Sequence, residues 1–165
     1  MILPVLQYPD PRLKKKSLPI DEITPEIREL AANMIETMYA RNGIGLAAPQ
    51  VGAHVRLIVV DLSGPEKQEG AQVFINPKLT LSGPEVESEE GCLSVKDFNA
   101  TVRREQYVHL EALDLEGNIV SLDADDLFAI CLQHECDHLD GLLFIDHIST
   151  LKRMMYDKKL KKKAK

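Results

Sequence analysis

Apolar residues recur at helical spacing in two stretches of the chain. Ile27, Leu30, Ala31, Met34, Ile35 and Met38 keep a period near 3.6. Thr24-Pro25 ahead of them offers an N-cap oxygen and a proline suited to the first helical position, and Asn42-Gly43 ends the run. In the second stretch Leu127, Ile130, Cys131, His134 and His138 share one face, the expected buried stripe of a helix capped by Asp123 or Asp125 and closed by Gly141. Between the two, Arg56 to Leu62 and Val73 to Pro77 read as strands, and Leu79 to Leu81 and Val86 to Leu93 as shorter extended pieces. Tyr107 to Leu113 alternates, then turns through Glu116-Gly117-Asn118 into Ile119 to Leu122. Leu13 to Lys16 reads as a solvated basic turn, and the segment after Asn42 as a loop directly following the first helix. With no repeats or low-complexity linkers, the expectation is a single α+β domain over residues 1–165. Its short, mostly antiparallel sheets surround the second helix, and a C-terminal helix completes it.

Composition narrows the class. A chain of 165 residues, 44% of them hydrophobic, suffices for one core but hardly for two. No apolar run approaches a membrane span, and Met1-Ile2-Leu3-Pro4 lacks a basic region followed by an apolar one, so neither membrane insertion nor a signal peptide is expected. Three cysteines are an odd number and two sit on one predicted helix, which argues for a reducing cytoplasm rather than a disulfide framework. The C-terminal segment stands apart. From Lys152 to Lys165, eight Lys/Arg against Asp157 alone give a local charge of +7, so the rest carries −13 of the net −6. Such asymmetry fits either a solvated helix capped by Ser149 or electrostatic attachment to a polyanion.

The chemistry lies in Gln133-His134-Glu135-Cys136-Asp137-His138, which contains HExxH. At about 100° per residue the two histidines fall roughly 40° apart on the helix surface and can chelate one metal ion, with Glu135 to one side. In metallohydrolases that carboxylate takes a proton from the attacking water and later hands it to the leaving amine. The bland alternative, a surface helix with two solvated histidines, is opposed by the apolar company both keep. A catalytic site needs a third ligand. Cys136 lies about 200° round the helix from His134, and Cys131 sits roughly 10 Å along the axis from His138, which leaves Cys92 in Glu90-Gly91-Cys92-Leu93-Ser94. Cys131 is then expected to be a small hydrophobe, and Cys136 inert unless exposed to oxidation.

Gly43-Ile44-Gly45-Leu46-Ala47-Ala48-Pro49-Gln50, Glu90-Gly91-Cys92-Leu93-Ser94 and the HExxH stretch resemble, in order and spacing, the three signature motifs of the peptide deformylases. The resemblance covers essentially the whole chain. It implies hydrolysis of the formyl group from N-terminal formyl-methionine of nascent polypeptides, in the cytoplasm of a bacterial-type system. It also implies one divalent metal on Cys92, His134 and His138, ferrous iron in the cell with zinc, nickel or cobalt possible as isolated. Glu135 matches the general base and acid. Gln50 and the backbone N–H of Leu93 match the donors to the formyl oxygen. Gly43, Ile44, Gly45, Glu90, Leu127, Ile130 and Cys131 match the substrate pocket, although plain core packing accounts equally well for the apolar ones.

Two positions depart from the family pattern: Lys96 stands where proline is common, and Asn99 where an arginine touching the substrate backbone is common. They bear on how residues beyond the methionine are held. The family also suggests ribosomal RNA as the polyanion for the tail. Two other classes compete. An HExxH peptidase would take a downstream His or Glu as third ligand, and only His147 comes after His138. A ribosome-binding module with a structural metal would need a fourth protein ligand and would have no use for Glu135 or Gln50.

Overall fold

In the computed structural model, which describes residues 1–163, the first helix forms where the pattern places it. Helix α1 spans Pro25–Ala40, and the Thr24 hydroxyl accepts from the Ile27 N–H at 3.3 Å. It closes as the Asn42 and Gly43 N–H groups donate back to Tyr39 and Met38, with Asn42 in the left-handed region. The segment beyond Gly43 is not simply a loop. Strand β1 (Gly45–Ala47) runs into a 3-10 turn, Ala48–Val51, and then β2 (Leu57–Val60) and a short helix α2 (Gly64–Lys67).

The extended pieces read separately from Val73 onward are one strand. Strand β3 spans Gln72–Cys92, and β4 (Val95–Leu113) folds back on it through the two-residue turn Leu93-Ser94. With β5 (Ile119–Asp125) they complete a five-stranded antiparallel sheet in the order β1-β2-β3-β4-β5. The β3–β4 register slips at three places, between Ile75 and Lys78, Ser82 and Glu85, and Glu90 and Cys92. At the last slip β3 spends Gly91 alone while β4 spends Lys96 to Asn99, so four residues bulge outward beside the turn.

Helix α3 spans Asp126–Leu139 and carries HExxH. Asp125 holds its N-cap position, but no side-chain oxygen caps the first turn. Gly141 closes it, with the Leu142 N–H donating to Asp137 O at 2.9 Å. Helices α1 and α3 cover opposite faces of the sheet: Leu57 and Val59 of β2 pack with Met34 and Met38, while Ile58 and Val60 pack with Leu132 and Leu139. A strand buried on both sides accounts for the unbroken apolar run Leu57-Ile58-Val59-Val60.

Two surface expectations change. Leu13 is 2% exposed, so its turn, Pro11–Lys14, is anchored in the core while Pro11, Arg12 and the lysines stay in water. The C-terminal helix α4, Thr150–Lys163, has the expected Ser149 cap, whose Oγ accepts from the Lys152 N–H at 3.2 Å, yet it is not merely solvated. Its Tyr156 is buried with Phe144, Val95 and Phe98, and the Tyr156 hydroxyl donates to Lys96 O at 2.9 Å. Ala164 and Lys165, the end of the expected basic extension, lie outside the described residues.

Candidate active site

The site assembles where the β3–β4 turn meets α3. The ligand atoms of Cys92, His134 and His138 lie within 4.8 Å of one another, and Cys92 Sγ is 3.4 Å from His138 Nε2. Tetrahedral metal bonds of about 2.0–2.3 Å to nitrogen and sulfur put neighbouring ligand atoms roughly 3.5 Å apart, so this donor set fits one ion. Every other predicted site residue lines one adjoining cavity of about 400 Å³, with His134 in its wall.

Of the two imidazoles, His134 is held from behind, whereas His138 Nδ1 is buried without a protein partner. His134 Nδ1 donates to Glu90 Oε1 at 2.9 Å, which leaves Nε2 for the ion. Arg104 in turn donates to both Glu90 oxygens, at 2.8 and 3.0 Å, and to Asp137 Oδ2 at 2.6 Å. Asp137 also bonds His147 Nε2 at 2.8 Å. Burial pushes the Glu90 carboxyl up, but the hydrogen bonds from Arg104 and His134 outweigh it and hold the group down to about 2. Glu90, expected among the substrate contacts, lines the cavity but spends both oxygens on this network, and its geometry is that of a positioning residue.

The imidazoles differ electrostatically. Burial, with His134 beside it, drives His138 well below its ordinary value. For His134 burial opposes protonation, yet Glu135, Cys92 and Glu90 prevail and raise it. A cluster that draws a proton onto a buried histidine is electron-rich, as a cation site should be. Glu135 is 5% exposed, its Oε1 has no protein partner, and burial pushes its carboxyl up to about 7. Its Oε2 lies 2.5 Å from where a Cβ on Gly45 would stand, so glycine there keeps the carboxylate in place.

Gln50 is oriented by its own turn. The Ala47 N–H donates to Gln50 Oε1 at 2.9 Å, so the amide nitrogen faces Ser94 Oγ at 3.1 Å and Cys92 Sγ at 3.5 Å. The N-terminal segment braces the same place: Tyr8 N–H donates to Ser94 O at 2.7 Å, and Gln7 Nε2 to Leu93 O at 2.8 Å.

One side chain on α3 sits differently from its expected place. Leu127 is 53% exposed at the cavity mouth, off the buried stripe. Ile130 is half-buried in the cavity wall, and Cys131, buried at the cavity floor, has its thiol pushed up by burial. Cys136 is buried on the far side, and burial raises its thiol too, which leaves it inert with no exposure to oxidation. Sequence reasoning missed Arg104, Asp137, Gln7 and Ser94. Arg104 had a signal: it shares inward parity with Ala100, Val102, Val108, Leu110 and Ala112, and a charge on that face requires partners.

A cysteine and two histidines around one candidate ion position, a buried carboxylate beside them and the Gln50 amide at the cysteine define a metal-dependent amide hydrolase. The polypeptide deformylase family model matches residues 2–154. The peptide deformylases of Acinetobacter baumannii and Thermodesulfovibrio yellowstonii are each 51% identical over 162 residues, 98% of this chain, covering 91% and 98% of their own lengths. The crystal structure of the Legionella pneumophila peptide deformylase superposes with a TM-score of 0.92 at 42% identity, over 98% of this chain and 95% of that one. The Ehrlichia chaffeensis enzyme in complex with actinonin gives 0.91 at 39%, over 98% and 97%. The chain belongs to the peptide deformylase family, and it is a metal-dependent hydrolase that removes the N-formyl group from nascent peptides.

Proposed function

We propose that Cys92, His134 and His138 hold one divalent ion while Glu135, Gln50 and Leu93 carry the chemistry, with formyl-methionine seated among Gly43, Ile44, Gly45, Leu127, Ile130 and Cys131. The observation that carries this is the convergence of the three ligand atoms beside the unpartnered Glu135 oxygen in a cavity wall. Bound there, the ion supplies Lewis acidity and a more acidic water. Glu135 takes a proton from the water as its oxygen bonds to the formyl carbon. The Gln50 amide and the Leu93 N–H donate to the formyl oxygen as it gains charge, an interaction strongest in the transition state. Glu135 then gives the proton to the methionine nitrogen as the C–N bond breaks, releasing formate and a free amino terminus.

The one-thiolate, two-imidazole set accommodates iron, zinc, cobalt or nickel, and availability selects among them; ferrous iron in the cell is our reading. The described residues hold no helix long and apolar enough to cross a membrane. The relatives from Acinetobacter baumannii and Thermodesulfovibrio yellowstonii are bacterial, which supports a bacterial-type cytoplasm as the place of work. We read residues 1–165 as one catalytic domain with 151–165 as its basic extension. The exposed Lys158, Lys159 and Lys161 to Lys163 of α4 support contact with the ribosome surface.

The test is Glu135→Gln, which is expected to keep the metal and lose about 10²–10⁴-fold in turnover of formyl-Met-Ala-Ser. Turnover within a few-fold of wild type would remove Glu135 from its role. Anaerobic metal analysis of Cys92→Ser checks the ligand set, since a hydroxyl poorly replaces a thiolate. Unchanged metal content there would sink the three-ligand site.

A further inference from the structure

The bulge Lys96–Asn99 and the end of α1 enclose a second cavity, of about 310 Å³, whose wall includes Cys92 and Leu93. These same two residues form the wall of the metal cavity, so the pockets lie back to back across the β3–β4 turn. We infer that this second cavity is a cationic subsite for the third residue of the formylated substrate, and that it favours an acidic side chain there. The inference rests on the reading of the first cavity as the formyl-methionine pocket.

Reach comes first. With the formyl carbon at the metal and the methionine side chain in the first cavity, the rest of the peptide must leave over the rim. Two extended residues span about 7 Å, enough to cross a wall one strand thick. Closure of that wall is built in. A Cβ on Gly43 would stand 2.9 Å from Leu93 Cδ1, so the end of α1 lies directly on the turn and brings Arg41 to the second cavity. A Cβ on Gly91 would collide with Asn99 Oδ1, so the bulge lies equally close on the other side.

The bulge is also rigid. Phe98 stacks into the cluster under α4, 4.5 Å from the Tyr156 ring and 6.1 Å from that of Phe144, and Tyr156 holds Lys96 O. Phe98 inside leaves Lys96, Asp97 and Asn99 to face the pocket and solvent.

Charge decides the occupant. Arg41 and Lys96 are exposed, and among the described residues neither makes an ion pair. The one carboxylate in the cavity wall, Asp97, is paired with Lys163 at 3.1 Å, and Lys159 and Lys96 add to holding it below its ordinary value. Glu89, exposed on the rim of the metal cavity, opposes an acidic side chain on that side and steers it towards Arg41 and Lys96. Lys96 and Asn99 both line this one pocket, with Arg41 across from them.

The experiment compares kcat/KM for formyl-Met-Ala-Asp, formyl-Met-Ala-Asn and formyl-Met-Ala-Lys, each C-terminally amidated, on the metal-loaded enzyme. Two unit charges some 7–8 Å away in water favour Asp over Asn by about five- to tenfold, mainly through KM. Lys ranks last, and the spread contracts as ionic strength rises to about 0.5 M. In Arg41→Gln the Asp:Lys ratio falls, and in Arg41→Gln/Lys96→Glu it inverts. Each ratio is taken on one enzyme, so partial loss of folded or active protein cancels. Equal turnover of the three peptides at low salt, or an Asp:Lys ratio untouched by the double substitution, overturns the subsite alone. Failure to deformylate any of them overturns the reading of the metal cavity as well.

Discussion

Arg104 joins the candidate metal ligand His134, through Glu90, to Asp137 and His147, and Arg104→Met tests what that link is worth. Its side chain is 4% exposed, and it makes three charge-assisted hydrogen bonds. Removing one partner of a buried ion pair costs about 3–5 kcal/mol, because the other charge is left uncompensated. Here Glu90 keeps the His134 donor, and Asp137, 22% exposed, keeps His147, so the expected cost lies near the lower end, about 3 kcal/mol. Against a total of about 5–15 kcal/mol that is large. The double variant Arg104→Met/Glu90→Gln should be more stable than Arg104→Met alone, since the stranded charge has gone. The pH dependence has a definite sign. Glu90 is held below its unfolded value, so its share of stability is complete above about pH 4.5 and is lost as pH falls towards 2. The gap between wild type and Arg104→Met therefore narrows on acidification. Urea unfolding followed by circular dichroism on the metal-loaded proteins measures all of this. A cost below about 1 kcal/mol, or a double variant weaker than the single, would refute the reasoning.

Gly45→Ala is expected to displace Glu135 and cut turnover at least tenfold with little loss of bound metal; a wild-type rate would mean that the carboxylate tolerates the methyl group. Tyr156→Ala, or truncation after Thr150, removes a side chain buried to 3% exposure and should cost about 3–5 kcal/mol, read as a lower melting temperature. An unshifted melting temperature would mean that Tyr156 does not tie α4 to the core.

Local signals carried most of the legible part of the fold. Thr24-Pro25 and Asn42-Gly43 bound α1 because capping is decided within a few residues. The placing of His134, His138 and Glu135 together was legible because HExxH spacing is itself geometry. The long β3–β4 ribbon was not. From Lys78 to Glu87 β3 is exposed on both faces apart from the partly covered Leu79 and Val86, so no alternation marks it as a strand, and its pairing is fixed by β4 instead. Leu127 misled because helical periodicity assigns a face but cannot tell that the first turn of that face opens onto a cavity. Tyr156 was hidden for another reason: the lysines round it make a solvated helix the natural reading, and only the fold puts Phe98 and Phe144 beneath it.

The slips in the β3–β4 ladder also set where this lineage can gain or lose length. A residue inserted near Ser82–Glu85, where the register already shifts and the chain is solvent-exposed, can be absorbed in the irregularity. One inserted between Val86 and Glu90 would advance the strand by about 3.3 Å and turn alternate side chains to the opposite face, carrying Cys92 away from the two histidines. Insertions and deletions in descendants of this chain should therefore collect at the far end of the ribbon, while the span from Val86 to Cys92 drifts in sequence but not in length.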